Sequence, residues 1–325
     1  MALRIGVLST ARIAVRKVIP AMQAAQACTV TAIASRELAR ARAVAEHLGI
    51  PHAFGAYDAL LASDEVDAVY IALPNHLHAE WTAAAAAAGK HVLCEKPLGL
   101  TAAQAQEMIG ACRSGGVQLM EAYMYRFHPQ WARVRELVAE GALGDVQAVQ
   151  TVFAYDNRDP ADIRNIPAFG GGALLDIGCY AVDSARLVLG SEPVEAAGVV
   201  RIDPEFGTDV LTTAVLEFPG GRHAAFTCGT QTARAQWVRV LGSAGGLLVE
   251  TPFVGTPDEP VRLVRFGPGQ DDRAEIETLA AANHYTLMAD AFARAVLAGE
   301  GMPLPPDDGV ATLQVLDTLR ERWVT

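Results

Sequence analysis

Paired cysteines are the first thing this sequence lacks. Its five cysteines, at positions 28, 94, 112, 179 and 228, form no CxxC pair and are odd in number. That pattern argues against a zinc ribbon or a disulfide framework and fits reduced thiols in a cytoplasmic protein. Excess positive charge is also missing: 26 basic residues against 37 acidic ones leave a net charge of −11. With no such field to attract a phosphate backbone, nucleic acid is not an expected partner. The most apolar helical stretch, Ala83–Ala88, ends at Gly89 and is far too short to cross a bilayer, so no membrane partner is expected. The start of the chain carries no basic region, apolar run and small-residue cleavage site, so no leader is expected. Internal repeats and low-complexity linkers are absent too.

What is present is enough apolar material for a large core, 51% of 325 residues, and a length for which two domains are the natural expectation. Up to about residue 122, short β-branched runs alternate with longer helical patterns. Strands are expected at Arg4–Leu8, Thr29–Ala34, Ala68–Ala72, His91–Cys94 and Val117–Met120, and helices at Ile13–Ala25, Glu37–Leu48, His78–Ala88 and Ala102–Cys112. This alternation predicts an α/β domain over 1–122 with a Rossmann-like, doubly wound parallel sheet.

From residue 123 to 325 the pattern changes to successive strands joined by turns such as Pro219-Gly220-Gly221 and Ala244-Gly245-Gly246. Strands are expected from Val146–Phe153 through Ala196–Ile202, Val210–Phe218, His223–Cys228, Trp237–Leu241 and Leu247–Glu250 to Val261–Phe266. Helices are expected at Gln130–Glu140, Gly172–Leu189, Tyr285–Ala298 and Asp307–Arg322, either of the last two being able to return to the first domain. The second domain is therefore read as α+β, with a mainly antiparallel, open-faced sheet.

The chemistry concentrates at a few motifs. In Gly170–Tyr180, reading GGGALLDIGCY, Asp176 and Tyr180 lie four residues apart and so share one helical face. The glycines ahead of them suit a helix start beside a bound ligand. A dinucleotide turn needs small residues after the first strand, for a tight turn and close approach to a pyrophosphate. Here Ser9, Ala11 and Ala14 occupy all three glycine positions, with Arg12 and Ile13 between them. The second strand ends in Ser35-Arg36 rather than an acid, so a bound dinucleotide is expected to be NADP, with NAD the alternative. Pro74-Asn75-His76-Leu77-His78 opens a helix at the next strand end, and its two histidines lack a third nearby ligand, so no metal is expected. Glu95-Lys96-Pro97 follows another strand, and a lysine before proline is held out of helical geometry, which aims its ammonium.

Together these features resemble the glucose-fructose oxidoreductase, inositol dehydrogenase and MocA family. The resemblance rests on the N-terminal unit, Glu95-Lys96-Pro97, the segment EAYMYRFHP from Glu121 to Pro129, and Asp176-x-Gly178-x-Tyr180. Tyrosine at position 180, where inositol dehydrogenase-like members carry histidine, is similar to the branch of NADP-dependent aldose dehydrogenases and dimeric dihydrodiol dehydrogenase. The resemblance implies hydride transfer between a nicotinamide and a sugar or polyol, with Lys96, Asp176 and Tyr180 as the catalytic group. A phenol titrates near pKa ~10, so Tyr180 needs a cation, and Lys96 is the candidate. It implies cofactor contacts from Ser9, Ala11, Arg12 and Ile13, from Ser35 and Arg36, from Pro74, Asn75 and His78, and from Glu95, Lys96 and Glu121. Substrate contacts are expected from Lys96, Arg126, Arg164, Asp176 and Tyr180, although an interdomain salt bridge is an equal reading of Arg126 and the better one of His128. Asp162 stands where the aldose dehydrogenases carry asparagine, and is expected to present an anion favouring hydroxyl-rich partners. Oxidation of an aldose at its anomeric carbon leads. Reduction of a keto or anhydro sugar, dihydrodiol oxidation, sugar-to-sugar hydride exchange on a retained cofactor, and a non-catalytic NADP-binding sensor remain open. A homodimer formed through the open sheet face is expected.

Overall fold

The computed structural model describes residues 2–269 and 273–323. The chain divides into two compact units, one of residues 1–127 with 283–310, the other of 128–282 with 311–325.

The first unit is built on β1 (Leu3–Leu8), β2 (Cys28–Ala34), β3 (His52–Phe54), β4 (Ala68–Ile71), β5 (His91–Cys94) and β6 (Leu119–Glu121). They lie in the order β3-β2-β1-β4-β5-β6, every neighbouring pair parallel. Strands covered on both faces need apolar residues at nearly every position, and β4 is buried throughout. Between the strands run α1 (Ile19–Gln23), α2 (Leu38–Leu48), α3 (Tyr57–Leu61), α4 (His78–Ala87) and α5 (Ala102–Ser114). A π-helical turn, Ala14–Val18, leads into α1, where one α-helix is expected from the sequence. Strand order reverses between β1 and β4, which opens a crevice beyond the carboxyl ends of the strands.

The second unit contains α6 (Pro129–Ala139), β7 (Val146–Asp156), a π-helical turn at Leu174–Gly178 and α7 (Cys179–Leu189). There follow β8 (Glu195–Ile202), β9 (Asp209–Phe218), β10 (Arg222–Gly229), β11 (Gln231–Gly242), β12 (Gly245–Val249), β13 (Val261–Phe266) and β14 (Glu275–Leu279). The sheet order is β14-β13-β12-β11-β7-β10-β9-β8, antiparallel except where β7 meets β10. α7 packs on β7 and β10. Along β9, Val210, Thr212, Ala214, Leu216 and Phe218 are buried in strict alternation, and the intervening side chains form the second face. There Val215 (51% exposed) lies beside Ala197 and Ala225, and Val199 (61% exposed) beside Thr213.

Two helices complete the chain. α8 (His284–Ala298) belongs to the first unit: the Asn283 side chain accepts from the backbone N–H groups of Tyr285 and Thr286, and Asp290 accepts from those of Gln26 and Ala27. α9 (Pro306–Glu321) begins in the first unit and continues in the second. No helix among the described residues is long and apolar enough to cross a membrane.

Two strands depart from the sequence expectation. β3 has only three residues and opens on exposed His52. β14 reads Glu-Ile-Glu-Thr-Leu at a sheet edge, with two charged residues and none buried, so β3 is too short and β14 too polar to give a strand signal.

Candidate active site

In the second unit the helix beginning near Gly172 presents both expected side chains. Asp176, 8% exposed, lies in the π-helical turn, and Tyr180 in the first turn of α7. π-turns recur at functional positions because they displace side chains from regular helical register. At two of the glycines ahead of them the close approach is made by the protein itself. A Cβ on Gly171 would lie 2.5 Å from the Arg164 carbonyl oxygen, and one on Gly172 would lie 1.9 Å from Asp209 Oδ1. Their smallness admits the protein's own loop and strand.

Asp176 is held by two donors on one oxygen. Tyr155 donates its hydroxyl to Oδ2 at 2.5 Å, and Arg164 donates its Nε at 3.1 Å. Arg164 also donates Nη1 to Asp162 Oδ1 at 3.3 Å, and that oxygen accepts the Arg164 backbone N–H at 3.0 Å. The Asp176 carboxylate raises the Arg164 pKa, while burial, followed by the same charge, raises that of Tyr155. The group is therefore a carboxylate clamped between a guanidinium and a phenol, which fixes its orientation. Asp162 shares the Arg164 guanidinium with Asp176 within the loop.

Tyr180, 4% exposed, stands against an aromatic wall. Its ring meets Phe153 edge-on at 5.5 Å and Phe253 at 5.2 Å, and Phe253 stacks on Phe153 and Trp131. Gln130 and Trp131 donate to the Thr251 and Pro252 carbonyls, and Gln236 bonds Phe253 and Val254, so the wall is anchored on both sides. The sequence reading missed Phe153, Tyr155 and Phe253. Period two along β7 was the available signal for the first two, since they share the strand face that carries buried Val149 and Thr151.

In the first unit the expected nucleotide residues lie just past the carboxyl ends of β1, β2, β4, β5 and β6. Ser9 has φ of 124°, a conformation that favours glycine, and its Oγ accepts the Ala11 N–H at 3.0 Å. The backbone thus keeps the shape of a glycine turn without the glycine. Arg12 and Ile13 begin the helix that follows. Ser35 is buried, with its N–H on the Phe54 carbonyl, and Arg36 is exposed beside it. Pro74 and Asn75 open a short 3-10 turn before α4.

Lys96 is braced from both sides. Glu95 accepts from the Tyr70 hydroxyl at 2.6 Å and from the Lys96 N–H at 3.2 Å, the Lys96-Pro97 peptide is cis, and the Leu98 N–H donates to Glu121 Oε1 at 2.8 Å. His78 is 0% exposed, and its ring nitrogens lie 2.9 Å from the Pro97 and Leu73 carbonyl oxygens. Burial lowers its pKa against the opposing pull of those carbonyls. The His78 ring has both nitrogens engaged and Glu121 accepts the Leu98 N–H, so both side chains support the turn that carries Lys96. Arg126, expected at the substrate, pairs with Asp308 within the same unit. His128 caps α6 by accepting the Gln130 N–H at 3.2 Å.

Comparison with known proteins agrees with this geometry. Residues 3–123 match the oxidoreductase family with an NAD-binding Rossmann fold, and residues 131–248 match the GFO/IDH/MocA C-terminal domain. The chain is 43% identical to a D-xylose 1-dehydrogenase (NADP(+)) of Haloferax volcanii, over 97% of this chain and 96% of that one. Its fold superposes on a 3-ketoreductase from Actinomadura kijaniata in complex with NADP and TDP-benzene, with a TM-score of 0.94, 35% identity, and coverage of 99% and 98%. It also superposes on an aldose-aldose oxidoreductase from Caulobacter crescentus, with a TM-score of 0.91, 28% identity and the same coverage. With both halves matched, and with relatives that span nearly its whole length, the chain belongs to the GFO/IDH/MocA family of oxidoreductases.

Proposed function

We propose that this protein is an NADP-dependent oxidoreductase that oxidises an aldose at its anomeric carbon, using Lys96, Asp176 and Tyr180. The observation that carries the reading is the helix start of the second unit, where a clamped carboxylate and a phenol on an aromatic wall are offered one turn apart.

The first unit fits the cofactor. The positive-φ turn at Ser9 lets backbone N–H groups approach a pyrophosphate, and exposed Arg36 past β2 suits a 2′-phosphate where an acid would suit a free ribose hydroxyl. When bound, NADP supplies the hydride acceptor. Tyr180 takes the proton of the anomeric hydroxyl as the hydride leaves the same carbon, giving the lactone. Lys96 supplies the positive charge that favours the phenolate, Asp176 accepts from a neighbouring sugar hydroxyl and fixes the ring, and the aromatic wall keeps water from the phenol. The Haloferax relative, a D-xylose 1-dehydrogenase, supports this direction. The Actinomadura ketoreductase likeness supports a second reading, in which Tyr180 donates its proton to a keto sugar as it is reduced.

Reduced-nicotinamide absorbance with NADP and a panel of aldoses, and with NADPH and keto sugars, separates the two. Turnover confined to NADPH and keto sugars contradicts the dehydrogenase reading. Exposed Val199 and Val215 on the uncovered sheet face support a homodimer, and a monomeric mass by light scattering contradicts it.

A further inference from the structure

Asp209 opens β9, 6% exposed, and takes no part in the proton transfer described above. Its Oδ2 accepts the Leu174 backbone N–H at 2.7 Å and the Thr212 hydroxyl at 3.3 Å. Its Oδ1 lies so close to Gly172 that a Cβ there would come within 1.9 Å. Gly172 has φ of 119°, which a side chain would strain, and its carbonyl accepts the Asp176 N–H at 3.1 Å. These observations describe one joint. The first N–H groups of a helix have no partner within it, and here a carboxylate from a strand supplies one at the turn that carries Asp176.

We propose that Asp209 is a positioning residue for the reaction: it fixes the start of the helix and thereby places Asp176 and Tyr180. The proposal rests on the reading of those two residues as the reacting pair. It also explains the glycines that the sequence presents before the helix, since Gly172 gives Asp209 access to the Leu174 N–H. Around the carboxyl lie the Arg320 guanidinium from α9 and the Cys228 thiol from β10.

The test compares wild type, Asp209→Ala, Asp209→Asn and Tyr180→Phe. It measures kcat and KM with the best aldose of the panel, the NADP dissociation constant, and hydrogen exchange of the peptide covering 173–180. Asp209→Ala is expected to lower kcat by about tenfold or more and raise substrate KM, because small displacements of reacting groups are costly. Its NADP affinity should stay at the wild-type value and its Leu174 amide should exchange faster. Asp209→Asn keeps an acceptor oxygen and is expected to return kcat to within about threefold of wild type. Wild-type kcat in Asp209→Ala alongside a silenced Tyr180→Phe overturns the proposal, and so does an Asn variant as impaired as the Ala variant. Should Tyr180→Phe itself turn over normally, the reading of the pair fails separately. Exchange at Leu174 then decides, with unchanged protection in Asp209→Ala overturning the positioning role.

Discussion

The nucleotide side of the first unit and the helix start of the second place their groups by different means. In the first, Ser9, Ser35 and Glu95 follow directly on strands and Pro74 lies just beyond one, and sheet register carries them to one edge. In the second, Asp176 and Tyr180 share a helix, but what fixes them comes from elsewhere in the chain: Tyr155 from β7, Arg164 from a loop, Asp209 from β9 and Phe253 from a turn. One arrangement follows from topology, the other from side chains that meet only in the folded state. Changes in the first unit should therefore alter nucleotide affinity, turnover or both, whereas changes in the second should reach turnover and substrate KM and leave nucleotide affinity unchanged.

The largest effect is expected from Lys96→Met, which removes the cation assigned to the phenol and should lower kcat by about 10²- to 10⁴-fold. Stopped-flow measurement with saturating NADP checks it, and near-wild-type turnover breaks the assignment. Next comes Arg36→Glu, which replaces the proposed phosphate contact with an anion. NADP affinity should fall by about tenfold or more relative to NAD, by analogy with loss of a charged hydrogen bond, while kcat with saturating cofactor holds. An unchanged NADP-to-NAD ratio would place the 2′-phosphate elsewhere. A smaller loss is expected of Tyr155→Phe, which removes the hydroxyl that donates to Asp176 Oδ2. Thermal unfolding should register destabilisation of about 1 to 3 kcal/mol, with a raised substrate KM and no change in NADP binding.

The smallest effect concerns pH. Burial raises the Asp209 carboxyl to about 7 from its usual 3.8. Since the folded value lies above the unfolded one, its contribution to stability is full below the unfolded value and is lost as pH rises through about 7. Asp209→Asn does not titrate, so across that window its denaturant midpoint should gain on wild type as pH rises. Parallel midpoints would remove the burial argument.

Legibility in the sequence divides along the same comparison. The parallel sheet, the lysine turn and the Asp176 to Tyr180 spacing are local patterns, because period, strand ends and helical faces depend on neighbouring residues. The support that His78 and Glu121 give the lysine turn was not legible, because it appears only when both His78 nitrogens are found on backbone carbonyls and Glu121 on the Leu98 N–H. The pairing of Asp162 with Arg164 was not legible for the complementary reason, since Arg164 was assigned to the substrate. Asp209 left no local trace: it is 35 positions from the Leu174 N–H it accepts.

The account stands or falls on Tyr180. Tyr180→Phe keeps the ring on its aromatic wall and removes only the hydroxyl, so kcat for the best aldose should fall by about 10²- to 10⁴-fold while the NADP dissociation constant stays at its wild-type value. Turnover equal to wild type in that variant, with NADP bound normally, would contradict it.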